Sequence, residues 1–246
     1  MPHLGWRWVL MGLRILAMFA WFFIIILPHL LLTLVGRRDL VPPIFLTGIG
    51  SLAGLRLQTR GAPAPGPLLL IANHLSWLDI MALAASARAA FVAHAGLSQH
   101  PVLRWLCTQN NTLFIAREQR STVAAQAGAV AAALETRRLV IFAEGTTGDG
   151  RTLADFKSAL LSAAEGIATQ GSALRVQPVA LDYADAPAIA WFGEESGINN
   201  FLRILGRTRP VLLTVRFCEP LQGSDLANRK AMARAAREAI GRALQG

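Results

Sequence analysis

Asn73-His74-Leu75-Ser76-Trp77-Leu78-Asp79 sets a histidine five residues ahead of a carboxylate. A neutral imidazole accepts a proton from a hydroxyl near pH 7. It does so better when a carboxylate fixes its tautomer and stabilises the imidazolium that forms. On one continuous helix, a five-residue spacing puts the two side chains on different faces. The pair therefore meets only if His74 lies in a loop and Asp79 in the first turn of the next helix. The flanks fit, since Leu68–Ala72 reads as a buried strand and an amphipathic helical pattern begins at Ser76. A plainer reading stands beside this one. Ser76-x-x-Asp79 has the form of a capping box, with Asp in place of the usual Glu or Gln, and His74 alone is an ordinary hydrogen-bonded histidine.

Two more stretches end strands in polar groups. Phe114-Ile115-Ala116-Arg117 finishes on a guanidinium, a fork suited to phosphate or carboxylate; alone it is equally a surface arginine. Phe142-Ala143-Glu144-Gly145-Thr146-Thr147 supplies an acid, a glycine that permits close backbone approach, and two hydroxyls. Gly148-Asp149-Gly150 follows directly, so a turn is the bland alternative. Cys107 and Cys218 have no metal-ligand spacing. They read as small buried apolar residues in a reducing compartment, and no metal is expected.

Around these groups the chain alternates strand and helix patterns. Strands are expected at Leu55–Arg60, Leu68–Ala72, Ala89–Ala93, Thr112–Ala116, Leu139–Ala143, Arg175–Asp182 and Val211–Cys218. Helices are expected at Ser76–Ala87, Ser98–Thr108, Thr122–Arg137, Asp155–Thr169 and Ser224–Leu244. This alternation predicts an α/β fold, a mixed and largely parallel sheet flanked by helices. In such sheets chemistry collects where strands end. Gly48-Ile49-Gly50-Ser51-Leu52-Ala53-Gly54 nearly spells a dinucleotide fingerprint, but its last glycine is one residue late and no acidic residue occurs between Asp39 and Asp79. It reads as a small-residue connection that packs closely.

The chain is 53% apolar and carries a net charge of +9. Its partner is then nucleic acid or an anionic membrane surface. The aromatic residues gather in the apolar N-terminus instead of interleaving with Lys and Arg as a single-strand binder requires, so the membrane is preferred and nucleic acid is not expected. Val9–Val35 is apolar apart from Arg14, Pro28 and His29. As a helix, Val9–Leu27 would rise about 28 Å, enough to cross the hydrocarbon core. No small-residue cleavage site follows the run. Arg7 before it and Arg37-Arg38 after it leave two topologies open, a full span or a hairpin bent near Pro28. Residues 1–40 are expected to anchor an α/β domain of residues 41–246. In the last helical stretch, Leu226, Ala233, Ile240 and Leu244 fall near one face, with Arg229, Lys230, Arg234, Arg237 and Arg242 elsewhere. That suits a basic helix on anionic lipid and equally a solvated face on a packed helix.

Taken together, Asn-His-x4-Asp, Phe-Ile-x-Arg, Phe-x-Glu-Gly-Thr and Val176-Gln177-Pro178-Val179-Ala180 follow in an order that resembles the glycerolipid acyltransferase family typified by 1-acylglycerol-3-phosphate acyltransferase. The resemblance spans roughly Leu68 to Leu181. It implies transfer of a fatty acyl group from acyl-CoA or acyl-carrier protein to a lysolipid hydroxyl, with no bound cofactor, metal or covalent enzyme intermediate. It implies that His74 is the base and Asp79 its orienting partner. Arg117, Glu144, Gly145 and Thr146 would bind the acceptor head group, and Pro178 would shape the acyl pocket. The phosphatidate-forming pattern commonly has Arg after Glu-Gly-Thr, where this chain has Thr147. Loss of that guanidinium weakens the case for a glycerol phosphate. Glu-Gly-Thr-Thr followed by Phe156-Lys157-Ser158-Ala159-Leu160 looks more like the lyso-ornithine-lipid acyltransferase branch, in which Lys157 replaces the missing charge or is simply solvated. His94 stands where many relatives have Lys. The family implies the cytoplasmic side of the inner membrane. Two other classes compete: a serine hydrolase, for which no Gly-x-Ser-x-Gly elbow exists in the sequence, and a non-catalytic basic membrane-binding module.

Overall fold

The computed structural model describes residues 3–94, 96, 99–115, 123–168 and 174–246. Among these, seven strands form one sheet: β1 (Leu55–Arg60), β2 (Leu68–Ala72), β3 (Ala90–His94), β4 (Leu113–Ile115), β5 (Leu139–Phe142), β6 (Arg175–Tyr183) and β7 (Val211–Phe217), in the order β1-β7-β6-β2-β5-β3-β4. The pairings are parallel except β6 with β7. The mixed, largely parallel α/β sheet is thus as the alternation predicts. The helices are α1 (His3–Leu34), α2 (Val41–Leu52), α3 (Leu78–Ala87), α4 (Pro101–Gln109), α5 (Val123–Thr136), α6 (Ser162–Ala168), α7 (Ala186–Ile189), α8 (Gly197–Leu205) and α9 (Arg229–Gln245).

The central strand β2 is buried along its whole length. Leu68, Leu70 and Ala72 join the core that includes α3, while Leu69 and Ile71 join the core that includes α5, α6 and α9. The period of two therefore feeds two layers. The helix after β2 covers one face and the helix after β5 the other. Adjacent parallel strands whose connections leave to opposite faces open a crevice at their carboxyl ends, and here that crevice lies between β2 and β5.

Several boundaries differ from the sequence reading. The stretch 155–169 stays irregular to Lys157, forms a 3-10 turn over Ser158–Leu161, and only then becomes α6. Similarly, α9 begins at Arg229, after Asn228 caps it by accepting from Lys230 N and Ala231 N. Its buried residues Met232, Ala233, Ala236 and Ile240 pack into the sheet core. Arg237 faces Asp155, and Arg229 faces Glu165. The apolar face of α9 is therefore occupied by protein, which decides for the solvated basic face over a helix lying on lipid.

Helix α1 runs unbroken through Pro28. The chain turns at Gly36 (φ +72°) instead, and α2 then packs back along α1. A hairpin thus exists, but its bend lies eight residues beyond the expected proline. The domain holds α1 along most of its length. Arg7 donates to Gly206 O, Arg14 to Leu205 O and Arg207 O, and Trp21 to Phe45 O, while His29 Nε2 meets Gln109 Oε1 at 2.8 Å. From Arg7 to His29 is about 33 Å of helix. On the other side, Trp6, Val9, Leu13, Leu16, Phe23, Leu27, Leu30 and Leu34 stand exposed at helical spacing.

The near-fingerprint Gly48–Gly54 forms the end of α2 and the turn beyond it, and its close packing is visible. A Cβ on Gly48 would overlap the Trp21 indole, and one on Gly54 would lie 2.8 Å from an Arg14 nitrogen. Gly48→Ala is accordingly expected to cost about 1–3 kcal/mol through overpacking. Gly12→Ala, where a Cβ meets nothing within 4 Å, should not destabilise. Thermal midpoints of the two variants in detergent would check this.

Candidate active site

Ala72, the last residue of β2, pairs with Phe142 of β5 on one side and Val179 of β6 on the other. Asn73 and His74 therefore emerge at the crevice. Asn73 is buried and clips the loop to β6: its amide donates to Leu181 O at 3.1 Å, and its oxygen accepts from Leu181 N at 2.8 Å. The His74 ring stacks on Phe142, with centroids 3.9 Å apart and planes at 15°.

His74 Nδ1 lies 2.7 Å from Asp79 Oδ2. The same oxygen accepts from Leu75 N at 2.6 Å and Ser76 N at 2.9 Å. Asp79 Oδ1 accepts from the Tyr183 hydroxyl at 2.5 Å. The His74 side chain is 19% exposed and that of Asp79 is fully buried. With Nδ1–H directed at the carboxylate, Nε2 carries the lone pair. The bond from Ser76 N to Asp79 is also the return half of a capping box. Cap and carboxylate partner are therefore one arrangement and not rivals. The regular helix starts at Leu78, two residues later than the pattern indicates.

Glu144 follows β5 and is buried. Its Oε1 accepts from His74 N at 2.7 Å and its Oε2 from Ala154 N at 3.1 Å. Gly148 N in turn donates to His74 O. Burial pushes the Glu144 carboxyl up, and its two backbone donors pull it down. Both oxygens thus pin the histidine loop to the 144–154 loop, an arrangement the sequence did not suggest. Gly145 turns the chain with φ +76°, a conformation few side chains tolerate. Thr146 is exposed and Thr147 half-buried on this loop. Lys157 N donates to Ala143 O, which brings this residue to the exit of β5 with its side chain exposed.

His74, Asp79, Glu144, Gly145, Thr146, Thr147 and Lys157 therefore gather at one edge of the sheet. Pro178 does not join them. It sits inside β6 opposite Ile71, where its missing N–H would leave Cys218 O without a ladder donor. Gln177 Nε2 donates to that oxygen at 2.8 Å. Arg117 lies outside the described residues, as does Ala116 of the expected fourth strand. Tyr183 was missed. Its signal was faint: the sole tyrosine of the chain, three residues past the fourth motif.

An apolar slot of about 300 Å³ lies between α1, α2, α4 and α8, lined by Met18, Phe22, Phe45, Ile49, Trp105 and Phe201 among others. Phe201 also packs against Trp77 in the histidine loop, at 5.2 Å between ring centroids. A wider basic recess of about 650 Å³, with Arg38, Arg88, Arg137 and Arg138, opens at the opposite edge of the sheet. It is remote from His74.

Residues 56–182 match the family described as Acyltransferase. The lyso-ornithine lipid O-acyltransferase of Brucella abortus (strain 2308) is 32% identical over 81% of this chain and 79% of its own. The 1-acyl-sn-glycerol-3-phosphate acyltransferase of Neisseria gonorrhoeae is 35% identical over 56% of this chain and 54% of its own. Among solved structures, the 1-acyl-sn-glycerophosphate (LPA) acyltransferase PlsC of Thermotoga maritima superposes with a TM-score of 0.68, covering 97% of this chain and 96% of that one at 17% identity. That likeness supports the fold.

Proposed function

Since this chain belongs to the acyltransferase family, we propose that it is a membrane-bound lysolipid O-acyltransferase in which His74 deprotonates the acceptor hydroxyl. The observation that carries this reading is the 2.7 Å contact between His74 Nδ1 and buried Asp79. It fixes the tautomer and leaves Nε2 to take the proton. The freed oxygen attacks the carbonyl carbon of an acyl thioester, supplied by acyl-CoA or acyl-carrier protein. The thiolate leaves, and the proton held on His74 passes to it. No resident cofactor or metal takes part.

The acceptor is a lyso-ornithine lipid. Thr147 in place of an arginine supports this, as does the Brucella relative, which aligns over most of both chains. Lysophosphatidate is the second reading, favoured by the Neisseria relative and by Arg117 as an anion fork. The Glu144–Thr147 loop and Lys157 face the acceptor head group from the exit of β5. The apolar slot receives an acyl chain; its volume sits at the lower end of the range for ligand pockets. Pro178 acts indirectly, by shaping the strand beside the site.

The membrane role falls to α1. A helix tied to the domain from Arg7 to His29 cannot cross a bilayer without drawing the domain in after it. It therefore lies along the cytoplasmic leaflet with its exposed apolar stripe in the hydrocarbon, and Arg37 and Arg38 meet anionic lipid.

An acceptor panel with one labelled acyl thioester and membranes containing the protein tests the assignment. Acylation of lyso-ornithine lipid but not of lysophosphatidate is expected. The reverse would show that Thr147 was misread, and neither product would sink the function.

A further inference from the structure

The catalytic carboxylate has a second oxygen, and what holds it is not part of the motif. We infer that Tyr183 is a positioning residue of the acyl-transfer site: its hydroxyl holds Asp79 Oδ1, so that Oδ2 alone faces His74, and it thereby tunes the pH at which the His74–Asp79 pair takes up its proton. The inference rests on the base role proposed for His74.

The geometry is specific. Oδ2 already has three donors, from His74, Leu75 and Ser76, whereas Oδ1 has the Tyr183 hydroxyl. Asp79 is fully buried, so water cannot replace a lost donor. Tyr183 is itself buried, and burial together with the charge of Asp79 raises its phenol well above the ordinary value. It therefore remains an O–H donor throughout the working range. Its place is fixed from two sides. Asn73 grips Leu181 two residues earlier, and Arg216 of β7 holds neighbouring Asp182 at 2.7 Å. The strand that carries the tyrosine is thus tied to the loop that carries the histidine.

The sign of the effect follows. A donor on Oδ1 draws charge away from the carboxylate and stabilises its ionised form. Without it, the ionised carboxylate is disfavoured and pulls harder on the proton at Nδ1. Both consequences raise the apparent value at which the coupled pair becomes protonated. The charged groups around the pair among the described residues are Glu144, which accepts from His74 N, and Arg151 and Asp182, which line the same cavity as Glu144 and Tyr183; Lys157 is placed at the exit of β5 by its backbone. The partners of Glu144 and Asp182 do not include Tyr183.

The sole tyrosine of the chain permits a two-signed test. Tyr183→Phe removes the donor and keeps the ring. Growth on 3-fluorotyrosine in a tyrosine-requiring host strengthens the donor at this one position. The acid limb of kcat/KM would be measured for the full chain in membranes, with palmitoyl-CoA or palmitoyl-acyl-carrier protein as donor. The acceptor is lyso-ornithine lipid or lysophosphatidate, whichever the wild type uses. Tyr183→Phe is expected to lower kcat roughly tenfold and move the limb up by about one pH unit, the scale of one hydrogen bond to a charged group. The fluorinated protein should move it down. Limbs that coincide with the wild type, or move in the same direction, would overturn the inference whatever happens to kcat, because a purely structural residue behaves that way. His74→Ala is the control. If it stays active, the base role falls and this inference with it; if it is inert while the limbs stay put, only the role of Tyr183 falls. Should Tyr183→Phe not fold, the fluorinated protein alone decides by the direction of its shift.

Discussion

His74→Ala is expected to lower kcat by about 10²–10⁴-fold, the usual contribution of a positioned general base, and to leave the thermal midpoint almost unchanged. The asymmetry comes from the site. Without imidazole, Asp79 Oδ2 still accepts from Leu75 N and Ser76 N, and Oδ1 from Tyr183. The carboxylate therefore stays satisfied, and the ring gives up chiefly its stack on Phe142. Steady-state kinetics beside a thermal melt separate the two effects. Wild-type activity in a folded variant would overturn the base role of His74.

Asp79 behaves differently because it is both partner and scaffold. Asp79→Asn keeps the shape but removes the charge that, in the proposed reaction, stabilises the imidazolium, and kcat should fall by a comparable ~10²–10⁴-fold. Asp79→Ala should in addition destabilise the fold, since it orphans Leu75 N, Ser76 N and the buried Tyr183 hydroxyl, at about 1–3 kcal/mol for each. The double variant His74→Ala/Asp79→Asn should be no slower than His74→Ala alone, because the carboxylate acts through the ring. Additive losses would mean that Asp79 acts independently of His74.

The strands were legible because each is a short apolar run or a strict alternation with turn residues at its ends. The turn of β7 against the direction of β6 was not, since pairing direction leaves no mark on either strand. Helix α2 escaped notice because Gly48–Gly54 reads as a small-residue connection and Pro42-Pro43 precedes it. The prolines in fact sit in the first turn, where their missing N–H groups cost nothing, and Gly48 gives room to Trp21. Helix α8 had one cue, Ser196, whose hydroxyl accepts from Asn199 N.

At the site, local spacing was enough for His74 and Asp79, five residues apart. It also offered the capping box, which the fold joins to the same carboxylate. Contacts made across the sheet were invisible. Tyr183 reaches Asp79 from 104 residues away, and Glu144 reaches His74 N from 70. The sequence points to an acceptor-binding role for Glu144; the fold adds a second use, in which its oxygens hold two backbone amides. Nothing in a linear pattern distinguishes those uses.

In the proposed reaction the acyl group passes directly from thioester to a lysolipid hydroxyl activated by His74. It is tested most directly by a single turnover of labelled palmitoyl thioester with membrane-embedded protein, with and without lysolipid, in wild type and His74→Ala. Labelled diacyl product is expected from wild type only when acceptor is present, with a rate reduced by orders of magnitude in the variant and no label on the protein at any time. Label that accumulates on the chain before acceptor is added, then passes to the lipid, would contradict it.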